Sequence, residues 1–166
     1  SRYDLFLVDT GAGIGRSTTD FLAACPEVLV VLTNEPTSLM DAYALIKTLH
    51  LRSQGQSLGV VVNMVDSNDE GEALFARLDA IARQFIGATL TLEGVVVFDR
   101  RVSEAIRSQR NIVRYAANGA VAHCLRELAA RLVNRPRRAA PRVSMEQWIA
   151  QWEGSAFLKS GEERPT

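Results

Sequence analysis

The chain has 166 residues, 47% hydrophobic and 23% charged, enough for one globular domain with a real core. Its 19 Lys and Arg balance its 19 Asp and Glu. With no net charge there is no bulk pull onto a polyanion, and no direct nucleic-acid binding is expected. No apolar run approaches the roughly 20 residues that a membrane-spanning helix needs.

In chain order, Ser1-Arg2-Tyr3-Asp4 leads into the first apolar run with no Met. This start looks like that of the carboxyl part of a longer protein. Leu5-Phe6-Leu7-Val8 reads as a buried parallel strand, ending at Asp9 and breaking into Thr10-Gly11-Ala12-Gly13-Ile14-Gly15. Ligands of open α/β sheets sit at that end of the strands. Glycines there let backbone approach a ligand and reach positive φ. A carboxylate there can hold a metal-bound water or orient one for attack on a phosphate. The plainer alternative is a strand-end Asp capping the turn.

Ser17 is expected to cap a short helix through Phe21 to Ala24, stopped by Pro26. Val28–Leu32 is a second buried strand whose polar exit, Thr33-Asn34-Glu35-Pro36, lies at the same edge as Asp9. Ser38 and Asp41 have capping-box spacing, and Leu39, Ala42, Tyr43, Ile46 and Leu49 then form a one-faced helical stripe. Leu58–Val62 is a third strand, ending in Asn63. Ser67 with Glu70 repeats the capping box before a helix with Leu74, Phe75, Leu78, Ile81, Ala82 and Phe85 on one face, ended by Gly87.

Leu90–Leu92 reads as a short edge piece, and Gly94–Phe98 as a fourth strong strand running into Asp99-Arg100. Val102, Ala105 and Ile106 mark a short helix. Asn118 is expected to cap the last one, with its stripe Val121, Cys124, Leu125, Leu128 and Leu132. Alternating strands and helices predict an α/β fold: a three-layer, mostly parallel sheet with helices on both faces and right-handed crossovers. The domain is expected over 1–133, a basic linker over 134–143, and an amphipathic helix with a disordered tail over 144–166.

Cys25 and Cys124 lie far apart without C-x-x-C spacing and are expected to be buried reduced thiols, as in the cytosol. His50 and His123 have no second ligand at helical or loop spacing and read as structural. No G-x-G-x-x-G follows any strand, since Gly11, Gly13 and Gly15 are spaced differently. A dinucleotide enzyme is therefore disfavoured.

Tyr3-Asp4 with Asp9-Thr10-Gly11-Ala12-Gly13-Ile14, the block Thr33 to Lys47, and Val62-Asn63-Met64-Val65 together resemble the MinD/ParA-type deviant Walker ATPases. Within them the match is closest to the flagellar-number regulators of the FlhG (FleN/YlxH) kind, from about Tyr3 to about Leu132. The resemblance implies a P-loop NTPase-like fold truncated at its amino end, with ATP and Mg²⁺ as cofactors of the intact protein. It implies that Asp9 acts on Mg²⁺ through water, and that Gly11 and Gly13 form the loop sensing the γ-phosphate. Asn63 would hydrogen-bond the adenine edge, while Phe98 and Asp99 would close over the base. Taken singly, such polar strand-end residues are more often helix caps or turn formers.

One departure is large. Phosphate binding needs backbone N–H donors at a helix start, a lysine and a hydroxyl. The only lysines are Lys47, inside a helix pattern, and Lys159, in the tail. Neither follows glycines at a strand end, so no cofactor is expected on this chain alone. Two readings stay open: part of an ATPase that dimerises around ATP, and an ATPase-inactive interaction module of the same fold. The family further implies a homodimer, flagellar or division regulatory proteins as partners, and a cytoplasmic location peripheral to the plasma membrane.

Met145, Trp148, Ile149 and Trp152 fall at i, i+3, i+4 and i+7, behind Arg135, Arg137, Arg138 and Arg142. That stripe reads either as a reversible membrane anchor or as a helix folding back over exposed core.

Overall fold

The computed structural model describes residues 5–11, 13, 15–52 and 56–135. The proposed membrane stripe at Met145, Trp148, Ile149 and Trp152 lies outside them. Elements run α1 (Arg16–Ala23), β1 (Glu27–Thr33), α2 (Pro36–Arg52), β2 (Ser57–Val65), α3 (Asn68–Ile86), β3 (Thr91–Val97), α4 (Arg100–Arg107), α5 (Ile112–Tyr115) and α6 (Ala120–Asn134). The three strands form one parallel sheet in the order β1-β2-β3.

Alternation along the strands divides the sheet into two unlike faces. On one, Val28, Val30 and Leu32 of β1 join Leu58, Val60 and Val62 of β2. Ala42, Ile46 and Leu49 of α2 and Leu74, Leu78 and Ala82 of α3 cover them. Each fully buried Leu or Ile there contributes roughly 1.5–3 kcal/mol. The other face is covered only in part: Val61 and Val96 meet Val121 of α6, with Val102, Ile112, Leu125 and Leu128 around them. That cover does not extend over β1, where Val31 is 60% exposed.

The predicted strand Leu5–Val8 is not one. The segment carries no strand pairing, and Phe6 and Leu7 are 61% and 69% exposed. A continuous apolar strand is stable only with neighbours on both sides and cover on both faces. Among the described residues nothing pairs the free edge of β1.

Several boundaries also differ. Gly15, not Ser17, is the N-cap of α1. Helix α2 begins at Pro36, where a missing N–H costs nothing, and Ser38 Oγ instead accepts from Thr33 N–H at 3.0 Å. The Leu90–Leu92 piece and the Gly94–Phe98 run are one strand, joined through a bulge at Glu93, because Val60 pairs Leu92 while Val61 pairs Gly94. Asn111 caps the short α5, which periodicity did not predict, and Gly119 rather than Asn118 precedes α6. Neither cysteine is in a disulfide among the described residues; both are only half-buried, and Cys25 Sγ donates to the Phe21 carbonyl at 3.5 Å. As expected, Ser67 Oγ accepts from Glu70 N–H at 3.2 Å, and Gly87 closes α3 at φ 67°.

Candidate functional site

The carboxyl ends of the three strands come together at one edge. Thr33 is paired with Asn63, Asn63 with Val96, and Phe98 N–H donates to Val65 C=O at 2.8 Å. Thr33, Asn34, Asn63, Phe98 and Asp99 therefore share the edge predicted for them. Asp9, Gly11 and Gly13 precede the sheet on an exposed segment that is not paired to it, with Gly13 at φ 105°, a conformation that suits glycine alone.

β2 ends irregularly. Val96 faces Asn63 and Val97 faces Val65, so Met64 is an extra residue, and it takes φ 60°. A left-handed non-glycine residue costs on the order of 1–3 kcal/mol, and such strain is held only where the surroundings fix it. Asn63, beside it, is partly exposed. Its amide makes no hydrogen bond with the described residues.

Asn34 differs. Its amide nitrogen donates to Glu70 Oε1, while Glu70 Oε2 accepts from Asp66 N–H at 2.7 Å. The second arm of the capping box thus reaches Asp66 rather than Ser67, and the Glu70 carboxylate ties the end of β1 to the start of α3. Of the two strand-end asparagines, Asn34 has one amide N–H committed to Glu70, whereas the Asn63 amide, unbonded among the described residues, has both its donors and its acceptor to offer a ligand.

Asp99 is the N-cap of α4: its Oδ1 accepts from Arg101 N–H at 2.9 Å and its carboxylate forks the Arg101 guanidinium at 2.6–3.0 Å. Those side-chain hydrogen bonds, followed by the backbone one, hold its carboxyl below the usual carboxylate range, and Asp99 in turn raises Arg101. With its oxygens committed to Arg101, what Asp99 does at this edge is to fix the turn that follows Phe98.

A purine edge fits the free amide at Asn63. The phosphates do not fit. Lys47 is exposed on α2 some 11 residues past its start, roughly 16 Å along the helix at the α-helical rise. Among the described residues no lysine stands at the strand ends, and no three His, Cys, Asp or Glu residues are grouped to hold a metal ion. His123 is exposed and faces Glu127 at 3.2 Å, a surface pair one helical turn apart.

The Glu70 tie and the left-handed Met64 were not foreseen. The sequence carries a trace of the first in the Ser67–Glu70 spacing. For Met64 the only local sign is a polar-apolar pair, Asn63-Met64, interrupting a valine run.

No family model matches the chain. It is 37% identical over 147 residues to the antiactivator FleN of Pseudomonas aeruginosa, covering 88% of this chain and 52% of that protein. It is 32% identical over 148 residues to the flagellum site-determining protein YlxH of Helicobacter pylori, covering 88% and 49%. An uncharacterised ATP-binding protein of Methanocaldococcus jannaschii is 25% identical over 154 residues, covering 93% and 55%. The chain thus spans about half the length of these relatives. Among solved structures, the MinD cell division protein of Aquifex aeolicus superposes with a TM-score of 0.65 at 18% identity, over 83% of this chain and 56% of that one. This likeness speaks for the fold.

Proposed function

The chain belongs to the MinD/ParA-type, FlhG-like family, and from that premise we propose that it is the carboxyl, base-recognising part of an ATPase that regulates flagellar number or placement. The observation that carries this reading is the free amide of Asn63 at the open strand edge, beside the exposed Phe98. In the intact protein Asn63 reads the adenine edge and Phe98 lies against the base. Asp99 holds the turn between them and α4. Asp9, with the Gly11 and Gly13 loop, would order Mg²⁺ and water. ATP hydrolysis would then govern homodimerisation, contact with flagellar or division regulators, and attachment to the cytoplasmic face of the membrane through the 144–152 stripe.

The bare Val31 surface and the free β1 edge support this reading, because they are what a parallel sheet looks like without the neighbour strand its apolar residues call for. They equally suit the second reading, an ATPase-inactive module that docks through the same surfaces. The coding sequence upstream of Ser1 separates the two: an in-frame glycine-lysine loop supports the ATPase, a start codon immediately before Ser1 the module.

The kinetic test is made in a protein that carries the loop. Asp9→Ala should depress hydrolysis far more than nucleotide binding, since a carboxylate ordering water acts mainly in the transition state. Asn63→Ala should weaken ATP binding with little change in turnover. Normal hydrolysis by Asp9→Ala would remove the role assigned to it. For the chain alone, titration calorimetry with Mg-ATP should show no micromolar binding, on the order of 8 kcal/mol, because the phosphates find no cradle.

A further inference from the structure

We infer that the corner between α4 and α5 is a docking surface for a carboxylate-rich segment of a partner protein, held by Arg110 and Arg114; the inference does not depend on Asn63 reading adenine. The chain as a whole is neutral, yet residues 100–115 carry five arginines against one glutamate. Arg101 is committed to Asp99, and Arg107 Nε–H donates to the Ser103 carbonyl at 3.2 Å. Arg110 and Arg114 have no ion pair and no side-chain hydrogen bond among the described residues. They line an open cavity of about 760 Å³ with Gln109, Asn111 and Val113, and none of these five side chains is acidic. The glutamate of the corner, Glu104, meets the Tyr115 hydroxyl at 3.5 Å. Positive charge gathered around a cavity without an acidic wall attracts an anion from outside.

The neighbouring groups select the anion. Gln109 stands left-handed at φ 51° where α4 closes: its N–H donates to the Ile106 carbonyl, and Arg110 N–H to that of Ala105, each at 2.9 Å. Such a cap suits glycine best, so the fold asks for the backbone conformation but not for the glutamine amide that comes to the cavity with it. Asn111 Oδ1 accepts from Val113 N–H at 2.8 Å, which leaves the amide nitrogen free to donate. Amides beside guanidinium forks match an acidic peptide, whose backbone takes the amides and whose carboxylates take the forks. A lone phosphate would leave most of the cavity empty. Single-stranded nucleic acid needs an open aromatic face, whereas the Tyr115 ring already carries the Arg110 guanidinium 5.5 Å from its centre. That stack also pre-orders Arg110 and lowers the entropy lost on binding. Apolar contact is at hand in Val113 on the cavity wall and in Ile106, 69% exposed just before the cap.

The test titrates the full chain, labelled with nitrogen-15 arginine, with a capped peptide of alternating glutamate and leucine and with its glutamine counterpart. The glutamate peptide should move the Nε–H resonances of Arg110 and Arg114 together and leave that of Arg126, exposed on α6, in place. The glutamine peptide should move none of them. Arg114→Gln leaves the Arg110 stack intact and should weaken binding about tenfold, the scale of one charge-assisted fork, at an unchanged melting temperature. Arg114→Lys, which keeps the charge without the fork, should fall between the two. The inference is overturned if the glutamine peptide binds equally, if Arg126 responds as strongly as Arg110 and Arg114, or if Arg114→Gln binds as tightly as the parent. It is overturned too if inorganic phosphate or phosphatidylglycerol vesicles move the Arg110 and Arg114 resonances at lower concentration than the peptide does, since the corner would then serve phosphate, free or in a lipid headgroup.

Discussion

Gly71 of α3 lies so close to Val95 of β3 that a Cβ on it would sit 2.5 Å from Val95 Cγ1 and 2.8 Å from Cγ2. The approach seats the first turn of α3 on the sheet, and Glu70, one residue earlier, ties that turn to Asn34 and Asp66. Alanine normally stabilises a helix over glycine by roughly 1 kcal/mol. Here the clash should prevail, and Gly71→Ala should destabilise by about 1–3 kcal/mol, as overpacked cores do. Val95→Ala in the same chain should recover much of the loss, a coupling that a double-mutant cycle in urea would measure. Additive effects would show that the two residues do not share that space.

At the opposite end of the sheet, Glu93 is 1% exposed and ion-paired with Arg135 at the end of α6, while Arg131 donates to the Glu93 carbonyl at 2.6 Å. Gly59 leaves the room, for a Cβ there would come 2.7 Å from Glu93 Cγ. Removing one partner of a buried pair leaves an uncompensated charge, so Arg135→Ala should cost about 3 kcal/mol. Combining it with Glu93→Leu should restore part of this. A loss below about 1 kcal/mol in denaturant unfolding, the size of a surface pair, would mean that water reaches the carboxylate.

Legibility followed burial. Val28–Leu32 and Leu58–Val62 were readable as strands because helices cover one face, and their β-branched residues leave no helical period. The α3 boundaries were readable because Ser67 and Gly87 act through their immediate neighbours. Leu5–Val8 is as apolar as the Val28–Leu32 run of β1, and its exposure depends on whether another strand lies beside it, which no local pattern encodes. The bulges at Glu93 and Met64 arise from pairing between strands some thirty residues apart, so periodicity spoke for the strands but not for their register. At the site, the positions of Asn63 and Asp99 were legible, whereas the commitment of Asp99 to Arg101 and of Asn34 to Glu70 is a tertiary outcome.

The segment after Asn134 is proposed as a reversible membrane anchor. Its stripe Met145, Trp148, Ile149 and Trp152 holds both tryptophans of the chain, and indole favours the headgroup region. Nearby arginines would add roughly 1 kcal/mol each on an anionic leaflet. Gly154 limits a helix there to about three turns, so one copy should bind weakly and a dimer firmly. The full chain should co-sediment with anionic vesicles more than a version ending at Asn134, with a blue shift in tryptophan emission. Equal sedimentation would favour a helix folded back on the exposed sheet face.

Asp99 gives the candidate site an acid limit. Its carboxyl is held below the ordinary 3.8 by its hydrogen bonds to Arg101. A carboxyl with a depressed folded pKa stabilises above its unfolded value and loses that contribution as pH falls through the folded one. The start of α4 should therefore hold unchanged from neutrality to about pH 4, the range of an ordinary aspartate, and loosen only below it. Following the Arg101 amide and Nε–H resonances against pH should give one shared midpoint under that of an unperturbed aspartate. Asp99→Asn keeps a capping oxygen but has no charge to lose, so α4 should stay formed at neutral pH and the midpoint should vanish. A midpoint at or above 3.8 in the parent would show that the fork to Arg101 is not maintained in solution, and would free the Asp99 carboxylate for the ligand edge after all.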